Sequence, residues 1–266
     1  MRFSMPFLLS FVVLNPLLAI TPTPTQEIVF PQFVVGGGWE CELTLISQGA
    51  DQSTGLLGFF DQEGNNLRAT IDGGISSSVH GYDLESGSAK TLKITKDGPA
   101  EVGYLVVSQS ASAPTHQGSI GGILTYRLVQ QSETLVQIGV PSSQSLQTTH
   151  IPYNNTGGNR TALALLSLGR VPVTVERYDE EGSEIGSSSI EFTDYTQTAQ
   201  FVDEVFPSSG NTQGFLKLSS ADSFQILILN QNGTLLSTSA ALPGVLERAL
   251  TIEGSVASSD WMLRLI

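Results

Sequence analysis

Between positions 39 and 47 the chain alternates: Trp39, Cys41, Leu43 and Leu45 are apolar, while Glu40, Glu42 and Thr44 are polar. A period of two places successive side chains on opposite faces of an extended backbone, so this stretch predicts a half-buried strand. The same reading predicts strands over 27–35, 55–60, 65–71, 89–95, 101–108, 120–129 and 134–140. It predicts a second set over 150–153, 160–167, 171–178, 188–192, 213–219, 224–230 and 234–240. Pro31 has no N–H to give to a ladder, so the first strand is expected at an edge or a bulge. One stretch departs from the pattern. Phe201, Val202 and Val205 sit at helical spacing before Pro207, which predicts a short helical turn over 200–206. Residues 72–78 and 111–118 read as loops.

The turns sharpen this picture. Asp61-Gln62-Glu63-Gly64 and Asp179-Glu180-Glu181-Gly182 each put Asp first and Gly fourth. That order suits a type I turn closing into a left-handed residue. The match extends further. Leu43, Leu45 and Ser47 recur as Leu163, Leu165 and Ser167, and Gly103-Tyr104-Leu105 with Ser108 recur as Gly214-Phe215-Leu216 with Ser219. The offsets drift in small steps, as they do between related units with unequal loops. A unit of roughly a hundred residues is too long for a solenoid repeat and about the size of one β-sandwich. The expected fold is all-β: two tandem immunoglobulin/fibronectin-III-like β-sandwiches over 27–141 and 147–241. The short join predicts that the two touch. In the tail, 242–266, Trp261, Leu263 and Leu265 alternate as an added edge strand would; a sorting signal is the other reading.

Composition narrows the setting. The 266 residues carry 25 Asp plus Glu against 12 Lys plus Arg, a net charge of −13. Such a surface repels phosphate backbones and anionic lipid, which argues against nucleic acid as a partner. With 40% hydrophobic and only 14% charged residues, the chain can fill real cores. Residues 1–20 read as a signal peptide: Arg2 opens it, an apolar run follows, and Asn15 with Pro16 interrupts any membrane span. Residues 21–26 (TPTPTQ) read as an extended Thr/Pro spacer. The expected compartment is outside the cytoplasm: secreted, at the cell surface, or in the periplasm. Export often brings disulfides, yet Cys41 stands alone, so it reads as a small buried hydrophobe.

Candidate chemistry is sparse. No G-x-S-x-G elbow occurs, and the serines gather in runs such as Ser76-Ser77-Ser78 and Ser187-Ser188-Ser189, where turns account for them. His80, His116 and His150 are far apart in sequence; His80 and His116 fall in one copy, and all three read as exposed. Asp179, Glu180 and Glu181 are the calcium candidates, being three carboxylates beside a glycine. Asp61 offers a weaker version. Neither turn has the spacing of a calcium loop, and the hairpin explains each Asp and Gly. Asp194, Asp203 and Glu204 are acids with no spacing that marks a glycosidase pair. The triple glycine 36–38 precedes a strand and lacks a following Lys-Ser/Thr, so it reads as a bulge or loop and not a phosphate cradle. Asn154, Asn159 and Asn232 head N-x-Ser/Thr sequons. No cofactor is expected.

The run FPQFVVGGGWECELTLIS (30–47), with FFDQEGN, VGYLVVS, QFVDEVFP and GFLKLSS, resembles a group of uncharacterised secreted bacterial proteins drawn as paired Ig-like β-domains. The resemblance implies a fold and an exported setting, and it carries over no catalytic residue. Two functions follow as expectations. The first is a secreted non-enzymatic module for binding, adhesion or scaffolding. It would meet an extracellular protein or glycan through 72–82, 111–118 or the tail. The second is a secreted hydrolase of polysaccharide or peptide, whose site only a fold would assemble.

Overall fold

The computed structural model describes residues 27–48, 52–109, 120–207, 210, 212–233, 235–239 and 241–243. The signal peptide, the spacer, the 111–118 loop with His116, and Trp261, Leu263 and Leu265 of the tail lie outside these residues. The described chain is all-β apart from one short helix.

The first half contains β1 (Glu27–Val35), β2 (Trp39–Ser47), β3 (Ser53–Asp61), β4 (Thr70–Ile71), β5 (Val79–Leu84), β6 (Ala89–Thr95), β7 (Glu101–Gln109), β8 (Ile120–Gln130) and β9 (Glu133–Pro141). They form two sheets, β1-β7-β3-β5 and β4-β6-β2-β8-β9. Inward side chains of both sheets share one core, with Phe30, Phe33, Leu57, Phe59 and Leu105 from the first and Cys41, Leu43, Leu45 and Leu124 from the second. The alternation of β2 is realised: Cys41, Leu43 and Leu45 are buried, while Glu40 pairs with Lys93 and Glu42 with Arg127 on the outer face.

The second half contains β10 (Leu146–Asn154), β11 (Asn159–Ser167), β12 (Val173–Tyr178), β13 (Glu184–Ile190), β14 (Gln197–Phe201), α1 (Val202–Val205), β15 (Gln213–Asn232), β16 (Leu235–Ser239) and β17 (Leu242–Pro243). Its backbone forms a single hydrogen-bonded sheet folded into two leaves by β15. The early part of β15 pairs with β10 and β12, and its later part with β11 and β16. The pairing order repeats that of the first half. The order β1-β7-β3-β5 has its counterpart in β10-β15-β12-β13, and β6-β2-β8-β9 has its counterpart in β14-β11-β15-β16.

The likeness of the halves reaches single residues. Gly64 N–H donates to Asp61 O at 3.1 Å and Gly182 N–H to Asp179 O at 3.2 Å, both glycines at positive φ. Asp61 Oδ1 accepts the Asn65 N–H and Asp179 Oδ1 the Ser183 N–H, each at 2.7 Å. Rings stack across the sheet in both halves, Phe60 on Tyr104 (5.0 Å) and Tyr178 on Phe215 (4.7 Å). The triple glycine is a tight turn, not a bulge. Gly37 and Gly38 both take positive φ between Gly36 and Trp39, as Gly157 and Gly158 do between Thr156 and Asn159.

Several elements differ from the sequence reading. The 65–71 segment is not one strand; isolated bridges at Asn66 and Ala69 and the two-residue β4 remain, and the chain crosses to the other sheet. Its place beside β3 is taken by β5, just after the 72–78 stretch read as loop and in residues that the sequence reading gave to no strand. The strand expected at 188–192 lies earlier, as β13, because Tyr178 pairs with Glu184 directly across the turn. β14 has no apolar alternation (QTAQF), and the sequence reading gave its last two residues to the helical turn and the rest to no element. The strands expected at 213–219 and 224–230 are one, since the polar stretch between them bends without leaving the ladder.

The second half fills a core of its own, with Leu163, Leu165, Leu218 and Phe224 among its members, and it also packs on the first half. Ala164 and Leu227 of the second half are buried in the first half's core cluster. Leu166 packs with Val29 and Tyr104. The join is pinned on both sides: Ser143 N–H donates to Val29 O at 2.8 Å, and Ser143 Oγ bonds to the backbone of Ile226.

Candidate functional site

A cleft of about 630 Å³ opens where the second half leans on the outer face of β1-β7-β3-β5. Its floor follows from strand periodicity. Leu56, Gly58 and Phe60 of β3 share one face, beside Val106 and Ser108 of β7 and Val79 of β5. An outer face is normally polar when one side of a sheet meets water. Here it is apolar, and Leu56 and Val79 are 52% and 47% exposed. The Phe60 ring lies over Gly58, since a Cβ there would stand 2.9 Å from it.

The wall comes from Leu166, Leu168, Tyr195, Ser145 and Gln225. Tyr104 O–H donates to Tyr195 O at 3.0 Å and ties the halves together at one end. Burial, with the Asp61 charge second, pushes the Tyr104 phenol up to about 12. Tyr195 holds φ +57, an uncommon conformation for a tyrosine, and its carbonyl sits against the Asp61–Gly64 turn. A chain of amides continues the seam: Gln62 Nε2 donates to Gln197 Oε1 (3.1 Å), and Gln197 Nε2 donates to Gln32 Oε1 (2.8 Å).

Gln225 is the unusual member. It is only 5% exposed and its Nε2 reaches Ser145 Oγ at 3.4 Å, yet its Oε1 has no partner among the described residues. Buried amide ends are normally paired, because leaving one bare costs about 1–3 kcal/mol. Exchanging the two ends of the amide moves the bare position without removing it. Glu27 places one carboxylate at the cleft.

The residues singled out by sequence lie elsewhere. Asp179 closes its turn, Glu180 accepts Gln213 Nε2 at 2.6 Å, and both line a shallow depression with Glu181. Among the described residues no group of three His, Cys, Asp or Glu is placed to hold a metal. His80 is partly buried on β5, its Nε2 within 3.1 Å of Ala69 O and Ser77 O, so it fastens the crossing segment. His150 sits on β10 near Phe215, in the other half. Asp203 holds Arg160, Asp194 holds Arg170, and Glu204 accepts the Phe201 N–H, so these acids are engaged separately. Asn154 caps Thr156, while Asn159 and Asn232 bond to each other at 2.8 Å. Cys41 is fully buried and donates to Val34 O at 3.0 Å; burial pushes its thiol up to about 12.

Sequence reasoning missed the cleft, although a signal existed. GLLGFF (55–60), ALALLS (162–167) and FQILIL (224–229) are near-continuous apolar runs where a half-wet strand would alternate. Such runs mark strands covered on both faces.

No protein-family model matches the chain, and no curated protein matches it in sequence. Among solved structures it is similar to procruciferin, an 11S globulin from Brassica napus, at 7% identity over 78% of this chain and 76% of that chain, with a TM-score of 0.22. A likeness that slight carries no argument about fold or function.

Proposed function

We propose that this chain is a secreted, non-enzymatic binding module made of two tandem immunoglobulin/fibronectin-III-like β-sandwiches, and that it meets its extracellular partner in the cleft between them. The observation that carries the reading is that cleft: an apolar sheet face with Leu56 and Val79 exposed, walled by a buried amide with one end unpaired. Concave, mostly apolar sites with a few polar groups at a junction between units are where ligands bind. The repeated strand order supports the tandem reading. The apolar start of the sequence agrees with export. No helix among the described residues is long and apolar enough to cross a membrane.

The test is a thermal-shift screen of the purified chain against glycan, peptide and small-molecule panels, run beside Leu56→Asp. A ligand that binds the folded state raises the melting temperature by mass action. The reading expects a ligand that stabilises the wild type and leaves the variant unmoved. A panel that shifts neither protein, or both equally, defeats it.

A further inference from the structure

We infer that Asn232 is a site of spontaneous modification, converting to aspartate and isoaspartate and thereby loosening β16 from its neighbours. The step is intramolecular. The Gly233 backbone nitrogen gives up its proton and attacks the carbonyl carbon of the Asn232 side chain. A C–N bond forms, the side-chain nitrogen leaves as ammonia, and a cyclic imide remains. Solvent water then opens one of the two C–N bonds of that ring. One opening leaves an ordinary aspartyl link at 232. The other leaves an isoaspartyl link, in which the main chain runs through the former side chain.

Sequence and fold both select this asparagine. A side chain on the following residue obstructs the attacking nitrogen, and only glycine lacks one. Asn232-Gly233 is the sole Asn-Gly pair in the sequence; every other asparagine precedes a residue with a side chain. Asn232 pairs with Leu235, so Gly233 lies in a two-residue turn outside the ladder, at φ +59. The tip is open: among the described residues, a Cβ on Gly233 would meet no atom within 4 Å. Asn232 is exposed, and Leu235 is 74% exposed, so packing does not hold the turn away from the reacting geometry.

The surroundings turn the chemistry into a structural change. Asn232 Nδ2 donates to Asn159 Oδ1 at 2.8 Å, and Asn159 Nδ2 donates to Thr156 O at 2.9 Å. A carboxylate at 232 sets an acceptor against Asn159 Oδ1. Asn159 cannot exchange its amide ends without giving up Thr156. The isoaspartyl link goes further and adds a main-chain carbon at the corner where β15 turns into β16. β16 is a strand that joins the halves: Leu236 packs on the first half's core, and Thr238 Oγ1 donates to Gly139 O at 2.5 Å.

The test incubates the full chain at mildly alkaline pH beside Asn232→Gln, whose longer side chain would close a larger ring far more slowly. Tandem mass spectrometry of the tryptic peptide 218–248 is expected to show NH2 replaced by OH at 232, faster as pH rises. Two products should separate on chromatography, one of them a substrate for isoaspartyl methyltransferase. Backbone amides of 235–239 should exchange with solvent deuterium about five- to tenfold faster in converted chain, the size of one lost hydrogen bond. Incubated Asn232→Gln should keep its original exchange; Asn232→Ser takes its place if that variant does not fold. The inference is overturned if 232 keeps its amide, if another asparagine converts first, or if exchange over 235–239 is unchanged by conversion. Equal acceleration in the incubated variant also overturns it, because the loosening would then arise elsewhere.

Discussion

Arg177 offers a severe test of the energetics. It is 7% exposed, and it occupies the position that Phe59 fills in the first half, counting back from the shared Asp of each turn. No ion pair holds it among the described residues. Its Nη1 reaches Thr212 Oγ1 at 3.5 Å and its Nη2 reaches Ile185 O at 3.4 Å, both long, and its Nε has no partner. The guanidinium lies 5.0 Å from the Phe206 ring centroid. The perturbation is Arg177→Met, which keeps an unbranched stem and removes the charge. Losing two long hydrogen bonds costs about 1–2 kcal/mol. Removing a poorly compensated buried cation recovers several kcal/mol, and replacements of this kind are often neutral or stabilising by about 1–4 kcal/mol. The expected net gain is about 1–3 kcal/mol, or roughly 2–4 °C in melting temperature for each kcal/mol in a chain of this size. Urea unfolding at neutral pH measures it: the midpoint rises and the slope is unchanged. Arg177→Lys should lose stability, because it keeps the charge and gives up the planar contact with Phe206. If Arg177→Met instead lowers stability by more than about 1 kcal/mol at constant slope, the charge is compensated and the reasoning is wrong.

Three further outcomes are expected. The Cys41 thiol is raised by burial from an ordinary 9.0 to about 12, so the folded state holds a proton that the unfolded chain releases above pH 9. Its contribution is complete below pH 9 and falls as pH climbs toward 12, by up to about 1.4 kcal/mol per unit. Cys41→Val should flatten the urea midpoint between pH 9 and 10, below the range in which Tyr82 and Tyr104, both raised to about 12, join in; equal slopes in both proteins would contradict it. Gly103→Ala and Gly214→Ala should each destabilise by about 1–3 kcal/mol or more, since the new Cβ would stand 1.9 Å from Phe60 O and 2.1 Å from Tyr178 O; calorimetry decides, and a tolerated alanine at either place would show that the ladder yields. Leu227→Ala should cost about 2–5 kcal/mol, as it empties a position of the second half that is buried in the first half's core. Because Leu227 and Ala164 couple the second half to that core, a single unfolding transition should shift, and a second, separate transition would count against the coupling.

Much of the fold was legible from local pattern. The strand at 39–47 was readable because its alternation matches the pleat and its polar face is solvated. Both Asp-x-x-Gly turns were readable because only glycine takes the closing conformation cheaply. The helix at Val202–Val205 stood out against a β background through its spacing and Pro207. β5 and β14 were not readable. Their side chains alternate weakly (VHGYDL, QTAQF), and both exist because a neighbouring strand offers an open ladder. The calcium candidates were readable as acids, and the turn itself uses Asp179.

The amino-acid order alone pointed to the all-β class and to the residues that close the two Asp-x-x-Gly turns, because each of these depends on neighbours within a few positions. Tertiary structure decided that Thr44 and Ile46 face outward while their counterparts Ala164 and Leu166 are buried against the other half. It also decided that Leu56, Val79 and Gln225 meet in one cleft. Those outcomes depend on how one sheet face packs on another across more than a hundred residues of chain, and no short-range spacing encodes which surfaces will meet.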